Sequence, residues 1–162
     1  MTNKLKIAMA SDHAGYQLKK ELQEHLQSLG YEVEDLGPHD TSRAEYALYG
    51  RLAADKLAKG ECDRVVLVCG TGFGISLAAN SVSGVRCVNC SDAYTAYMSR
   101  LHNNANAISF GQRVIVAESA KMILEKWLST EFEGGRHADR VDMLIEMSRL
   151  PQPGAYTASV KS

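Results

Sequence analysis

Val65-Val66-Leu67-Val68-Cys69-Gly70-Thr71-Gly72-Phe73-Gly74 is the stretch that decides the fold. Four apolar residues in succession mark a strand buried on both faces, as parallel strands are. Ile75-Ser76-Leu77-Ala78-Ala79-Asn80 follows and can open a helix. A strand, a Gly-rich turn and a helix N-terminus aim backbone N–H groups outward, so an anion or a developing oxyanion fits there. Cys69 sits at the lip of that turn. Taken alone, it is either the inert end of a core strand or a nucleophile or proton-abstracting base. The glycines either support bound charge or only permit a tight turn.

Working outward, strands read over 5–10, 31–36, 85–90 and 106–110, with helical stripes over 14–29, 45–59, 119–128 and 137–149. Leu18, Leu22, Leu26 and Leu29 make the clearest stripe, closed by Gly30. Ser91 reads as the N-cap of a further helix that runs to about His102, with Asp92 in its first turn. Strands alternating with helices predict one α/β domain over 1–150, doubly wound and Rossmann-like, with a five-stranded parallel sheet covered by helices on both faces. Glu133-Gly134-Gly135-Arg136 reads as a flexible link. Residues 151–162 read as a tail, disordered or pinned by a partner.

A chain of 162 residues supports one domain with a real core. A net charge of -1 invites neither nucleic acid nor an anionic membrane. No apolar run is long enough to span a bilayer, and Met1-Thr2-Asn3-Lys4 leads straight into a strand, so the expected compartment is the cytoplasm. Cys62, Cys69, Cys87 and Cys90 are then expected to be reduced thiols. Cys87-Val88-Asn89-Cys90 has no second pair to complete a zinc site, and along a strand its two sulfurs face opposite sides. No His, Cys and carboxylate set has ligand spacing, so no metal is expected. The loop is G-x-G-x-G after the third strand, which fits neither the dinucleotide nor the Walker pattern.

Ligands of doubly wound sheets bind at the carboxyl ends of the strands. That rule selects Asp12-His13, the loop Cys69–Gly74, Ser91-Asp92 and Gly111-Gln112-Arg113. Arg113 is the best single candidate for an anion. Arg136 and Arg140 lie four apart on one helix face and suit phosphate, but Asp139 and Asp142 make a solvated, salt-bridged face the simpler reading. His102, at a helix C-terminus, is either a cap or a general acid. His13 either caps a turn or donates to phosphate. His25 reads as structural, and His39 and His137 as surface residues.

Five segments in order carry a family resemblance: Ser11-Asp12-His13-Ala14-Gly15; Cys69–Ser76 with Ala78-Ala79-Asn80; His102-Asn103; Gly111-Gln112-Arg113-Val114; and Glu131-Phe132-Glu133-Gly134-Gly135-Arg136-His137 with Arg140-Val141. Together they resemble the ribose-5-phosphate isomerase B family, which also holds galactose-6-phosphate and allose-6-phosphate isomerases. The resemblance implies a cofactor-free aldose–ketose isomerase that opens the sugar ring and moves a proton through a cis-enediolate. It implies Cys69 as the base, His102 as the ring-opening acid with Thr71 nearby, and Gly70, Gly72, Phe73 and Gly74 as the loop holding the enediolate oxygens. Asp12 would fix a sugar hydroxyl. Tyr46 would contact the sugar ring, and Asn103 the substrate. His13, Arg113, Arg136 and Arg140 would clamp the phosphate, which displaces the surface-helix reading of the arginine pair. The resemblance further implies a homodimer or tetramer with sites at subunit interfaces, where His102, Asn103 and Arg113 reach across to a partner's loop. Glu45-Tyr46-Ala47 stands where many members have Asp-Tyr-Pro. Phe73 replaces an Ile or Val and is expected to narrow the pocket. The substrate expected is ribose 5-phosphate; the alternatives are a hexose 6-phosphate or, disfavoured by the presence of both Cys69 and His102, a non-catalytic sugar-phosphate-binding module.

Overall fold

The chain is described by a computed structural model, over residues 4–151. Five parallel strands form one sheet: β1 Lys6–Ser11, β2 Glu32–Asp35, β3 Arg64–Cys69, β4 Cys87–Asn89 and β5 Ala107–Gly111, in the order β2-β1-β3-β5-β4. A 3-10 turn at His13–Gly15 precedes α1, Tyr16–Ser28. The remaining helices are α2 Tyr46–Ala58, α3 Phe73–Asn80, α4 Ala93–Asn103, α5 Ala117–Leu128 and α6 Arg136–Ser148. The doubly wound α/β domain expected from the alternation is present. The tail expected over 151–162 lies, beyond Pro151, outside the described residues.

Strand alternation sorts the core into two layers. Val66 and Val68 of β3 pack with Leu18, Leu22 and Leu26 of α1 and with Ile123, Leu124 and Trp127 of α5. Val65, Leu67 and Cys69 point the other way, onto Ala53 and Ala54 of α2 and Ile75 and Ala79 of α3. Cys87 and Cys90 fall in opposite layers, as their spacing along a strand predicted, and all four cysteines are free.

Two local expectations are corrected. Asp92, not Ser91, caps α4: its carboxylate accepts from the Thr95 N–H at 2.7 Å, and Ser91 lies one residue outside. β4 has three residues, not six. Val85 is held in a turn by Val82, and the Asn80 side chain takes both the N–H and the C=O of Cys87.

The order of the strands fixes where a ligand can sit. From β1 the chain crosses to β2 on one side, and from β3 it crosses toward β4 and β5 on the other. The crevice beyond the adjacent ends of β1 and β3 is therefore the switch point of the sheet. Ser11 pairs with Val68 in register, so Asp12 and Cys69 emerge side by side.

Candidate active site

A cavity of about 730 Å³ opens at that crevice, lined among others by Asp12, His13, Tyr46, Cys69, Thr71 and Arg113. The Asp12 N–H donates to Val68 O, and its carboxylate accepts from the Gly15 N–H at 2.9 Å. One Asp12 oxygen is bound to the backbone turn, and the other has no protein partner among the described residues.

Cys69 ends β3 with its Sγ accepting from the Gly72 N–H at 3.1 Å. Gly72 adopts φ +82°, and a Cβ there would lie 2.5 Å from Asn89 Oδ1, so the turn that brings its N–H back to the sulfur needs glycine. Thr71 Oγ1 accepts from the Phe73 N–H at 3.3 Å, at the start of α3. Burial pushes the Cys62 thiol up to about 11, the Cys87 thiol up to about 12 and the Cys90 thiol upward as well.

Arg113 is positioned by its backbone. Gln112 N–H donates to Cys69 O and Arg113 N–H to Gly70 O, while the Gln112 side chain accepts from the Leu18 N–H. The guanidinium consequently lies over Gly70 of its own chain. The expectation that Arg113 reaches across to a partner is corrected by this hydrogen-bonded turn. His13 Nδ1 lies 3.2 Å from Ala44 O and 3.3 Å from Ala44 N, which ties it to the loop before α2. The Tyr46 ring packs over Gly74. Lys19, fully buried, anchors the same loop by donating to Asp35 and to Pro38 O, both at 2.7 Å.

The sequence reading missed Arg43, which lines this cavity and pairs with Glu45 at 3.3 Å. Arg43 belongs to no periodic pattern or strand end, so no signal marked it. Phe73 does not line the cavity. Its side chain is 62% exposed and lines a separate small cavity beside Asn89 and Val114, so the expected narrowing of the main pocket is corrected.

His102, Asn103, Arg136 and Arg140 are not in this cavity. α4 runs back from the carboxyl edge of β4, so its C-terminus reaches the opposite, amino edge. There Asn103 O and Asn104 O accept from Arg86 just before β4, and Asn106 O accepts from Val65 N–H at the start of β3. Asn103 lines a different cavity, with Arg86 and Leu144. The 133–136 segment expected to be flexible is pinned, because Glu133 N–H donates to Leu101 O at 3.0 Å. His137 was expected at the surface, yet it is 6% exposed: Gly134 and Gly135, both at positive φ, turn the chain so that its ring stacks on His102 at 3.9 Å. Burial, with His102 and Arg136 beside it, lowers the His137 pKa below the usual histidine range.

The fold and the switch-point thiol, with an arginine and a histidine around one crevice, are the layout of a sugar-phosphate isomerase. Residues 7–144 match the model of the Ribose/Galactose Isomerase family. "Ribose-5-phosphate isomerase B" of Escherichia coli K12 is 47% identical over 144 residues, which cover 89% of this chain and 97% of the relative. A "D-erythrulose-4-phosphate isomerase" of Pectobacterium atrosepticum is 39% identical over 143 residues, covering 86% of this chain and 93% of the relative. The solved structure of the Clostridium thermocellum ribose-5-phosphate isomerase B superposes with a TM-score of 0.87 at 46% identity, covering 88% of this chain and 97% of that one. The chain belongs to the ribose/galactose isomerase family, and it is an aldose–ketose isomerase. No helix among the described residues is long and apolar enough to cross a membrane.

Proposed function

We propose that the chain interconverts ribose 5-phosphate and ribulose 5-phosphate, with Cys69 as the base. The observation that carries this reading is the placement of Cys69 Sγ in the switch-point cavity beside Asp12, Thr71 and Arg113. The Cys69 thiolate removes the C2 proton of the open-chain aldose. The C–H electrons become the C1–C2 double bond, and the former carbonyl oxygen becomes an enediolate oxygen. A proton passes from the C2 hydroxyl to the C1 oxygen, and returning the abstracted proton to C1 then re-forms a carbonyl at C2. The exchange is redox-neutral, so it needs no electron carrier.

The backbone N–H groups of the loop from Gly70 to Gly74, Phe73 included, hold the enediolate oxygens, a task suited to preorganised donors. The unpartnered Asp12 oxygen holds a sugar hydroxyl, and Tyr46 contacts the sugar ring. His13 and Arg113 take the phosphate from one side. The remaining groups come from a second copy of the chain: His102 opens the ring near Thr71, Asn103 contacts the sugar, and Arg136 and Arg140 complete the phosphate clamp. The distance between the two sheet edges supports such a composite site in a homodimer or a larger assembly.

Turnover of ribose 5-phosphate by the wild type and by Cys69→Ala tests the reading. Loss of activity in the variant is expected; unchanged activity refutes the base assignment. Measuring kcat/KM on erythrose, ribose and allose phosphates sets the carbon count, and a preference for either of the other sugars over ribose 5-phosphate would replace the pentose assignment.

A further inference from the structure

Asn104, directly after His102-Asn103, ends α4 with φ +48° and ψ +43°, and among the described residues it is the one residue other than glycine at positive φ. Asparagine tolerates the left-handed conformation better than most side chains, but a cost remains. Its surroundings hold it there. The Asn104 N–H donates to Arg100 O at 3.2 Å. Its carbonyl accepts from Arg86 Nη2 at 2.9 Å and Nε at 3.2 Å, and its side-chain Oδ1 accepts from Arg100 Nη1 at 2.9 Å. Arg86 Nε also donates to Asn103 O at 3.2 Å and Nη1 to Gly84 O at 3.1 Å. Arg100 Nη1 also donates to Ala105 O at 2.6 Å and Nε to Thr130 O at 3.3 Å. Every one of these acceptors is an uncharged oxygen, so the two guanidiniums are set against the carbonyl end of α4, where the helix dipole favours a cation. Arg100 is 3% exposed, and burying a charge is expensive. Glycine ends a helix at far lower cost.

We propose that Asn104, Arg86 and Arg100 are positioning residues for sugar-ring opening: together they fix the last turn of α4 and so set where His102 and Asn103 are presented to the site of a second copy. This rests on the ring-opening role given to His102 above. No hydrogen bond reaches the His102 ring among the described residues; its stack on His137 and the backbone that carries it are what place it. The last turn of a helix frays when its carbonyls are left to water, and a catalytic group has to be held to within about 0.5 Å. Asn104 serves here through two properties at once, tolerance of the left-handed conformation and an acceptor oxygen for Arg100. Alanine lacks both and aspartate shares them.

Ring opening is separated from proton transfer by the choice of sugar. Ribose 5-phosphate closes a furanose ring through O4. Erythrose 4-phosphate and ribulose 5-phosphate cannot, because the oxygen such a ring needs carries the phosphate. Turnover of the first and C1 hydrogen exchange of the second in D2O therefore read the chemistry of Cys69 without ring opening. Asn104→Ala should lower kcat on ribose 5-phosphate on the order of tenfold to a hundredfold, the scale of a misplaced catalytic group, with a smaller change in KM and in both acyclic reactions. Asn104→Asp should keep most of the wild-type kcat. Arg86→Lys, which keeps the charge and loses the planar fork, should repeat the pattern of Asn104→Ala, and thermal melts check that each variant folds. Equal losses on cyclic and acyclic sugars, or no loss on ribose 5-phosphate in a folded Asn104→Ala, overturn the inference. His102→Asn is assayed beside them. The expected pattern there without the same pattern in Asn104→Ala removes the positioning residues and keeps the role of His102; unchanged ribose 5-phosphate turnover in His102→Asn refutes that role, and the inference with it.

Discussion

Two variants, each inactive, should restore one another when their chains are mixed. Cys69→Ala removes the thiol at the carboxyl edge, and His102→Asn removes the imidazole at the amino edge. Six residues of β3 span about 20 Å, and the eleven residues of α4 run about 16 Å back across the sheet, so the two groups of one chain cannot meet over one small sugar. In a two-fold dimer each site takes its thiol from one copy and its imidazole from the other. Random reassociation makes about half the dimers hybrids, and each hybrid holds one site with neither lesion and one with both, so about a quarter of the wild-type activity returns. The assay is ribose 5-phosphate turnover after the two variants are refolded together at equal concentration, with each variant refolded alone as the control. Activity that stays at the sum of the separate variants would refute the composite site.

Three other outcomes follow from the geometry. Arg113→Ala should raise KM for the sugar phosphate on the order of tenfold to a hundredfold with a smaller effect on kcat, because it removes a charge-assisted contact from the preformed cavity; steady-state kinetics decide it. Lys19→Met should destabilise the chain by about 3 kcal/mol in urea unfolding, because Asp35 and Pro38 O lose their buried cation, and KM should rise as the loop carrying Ala44 and Tyr46 loosens. Between pH 7 and 9 iodoacetamide should label Cys69 ahead of Cys62 and Cys87, because Cys69 lines the switch-point cavity while burial holds the other two thiols near 11 and 12 and so protonated in that window; peptide mapping that finds Cys62 or Cys87 labelled first in the folded protein refutes this.

Half of the site was legible in the chain, and the division has a physical cause. Val65–Val68 reads as a strand because a parallel strand buried on both faces tolerates no polar interruption, and such strands carry ligands at their carboxyl ends. From those two facts alone Asp12, His13, Cys69 and Arg113 could be placed around one crevice, which the structure forms. Arg113 was assigned to the wrong chain because a guanidinium's reach is settled by the turn that launches it, here the Gln112 and Arg113 N–H bonds to Cys69 O and Gly70 O, and these leave no periodic trace. Phe73 was misplaced for a related reason: its neighbours in sequence line the cavity, but the first residue of a helix projects its side chain away from the N–H groups it offers. His137 fails differently. Its burial depends on two glycines at positive φ folding the chain back onto the end of α4, a long-range contact that local pattern cannot register. The arginines of α6 could only be weighed against a solvated surface, and within one chain that is where they are, both exposed at the edge of the sheet opposite Cys69. In the composite site proposed above their partners lie on another copy, and such side chains have no signature in the folding of their own chain, because nothing in its stability requires them.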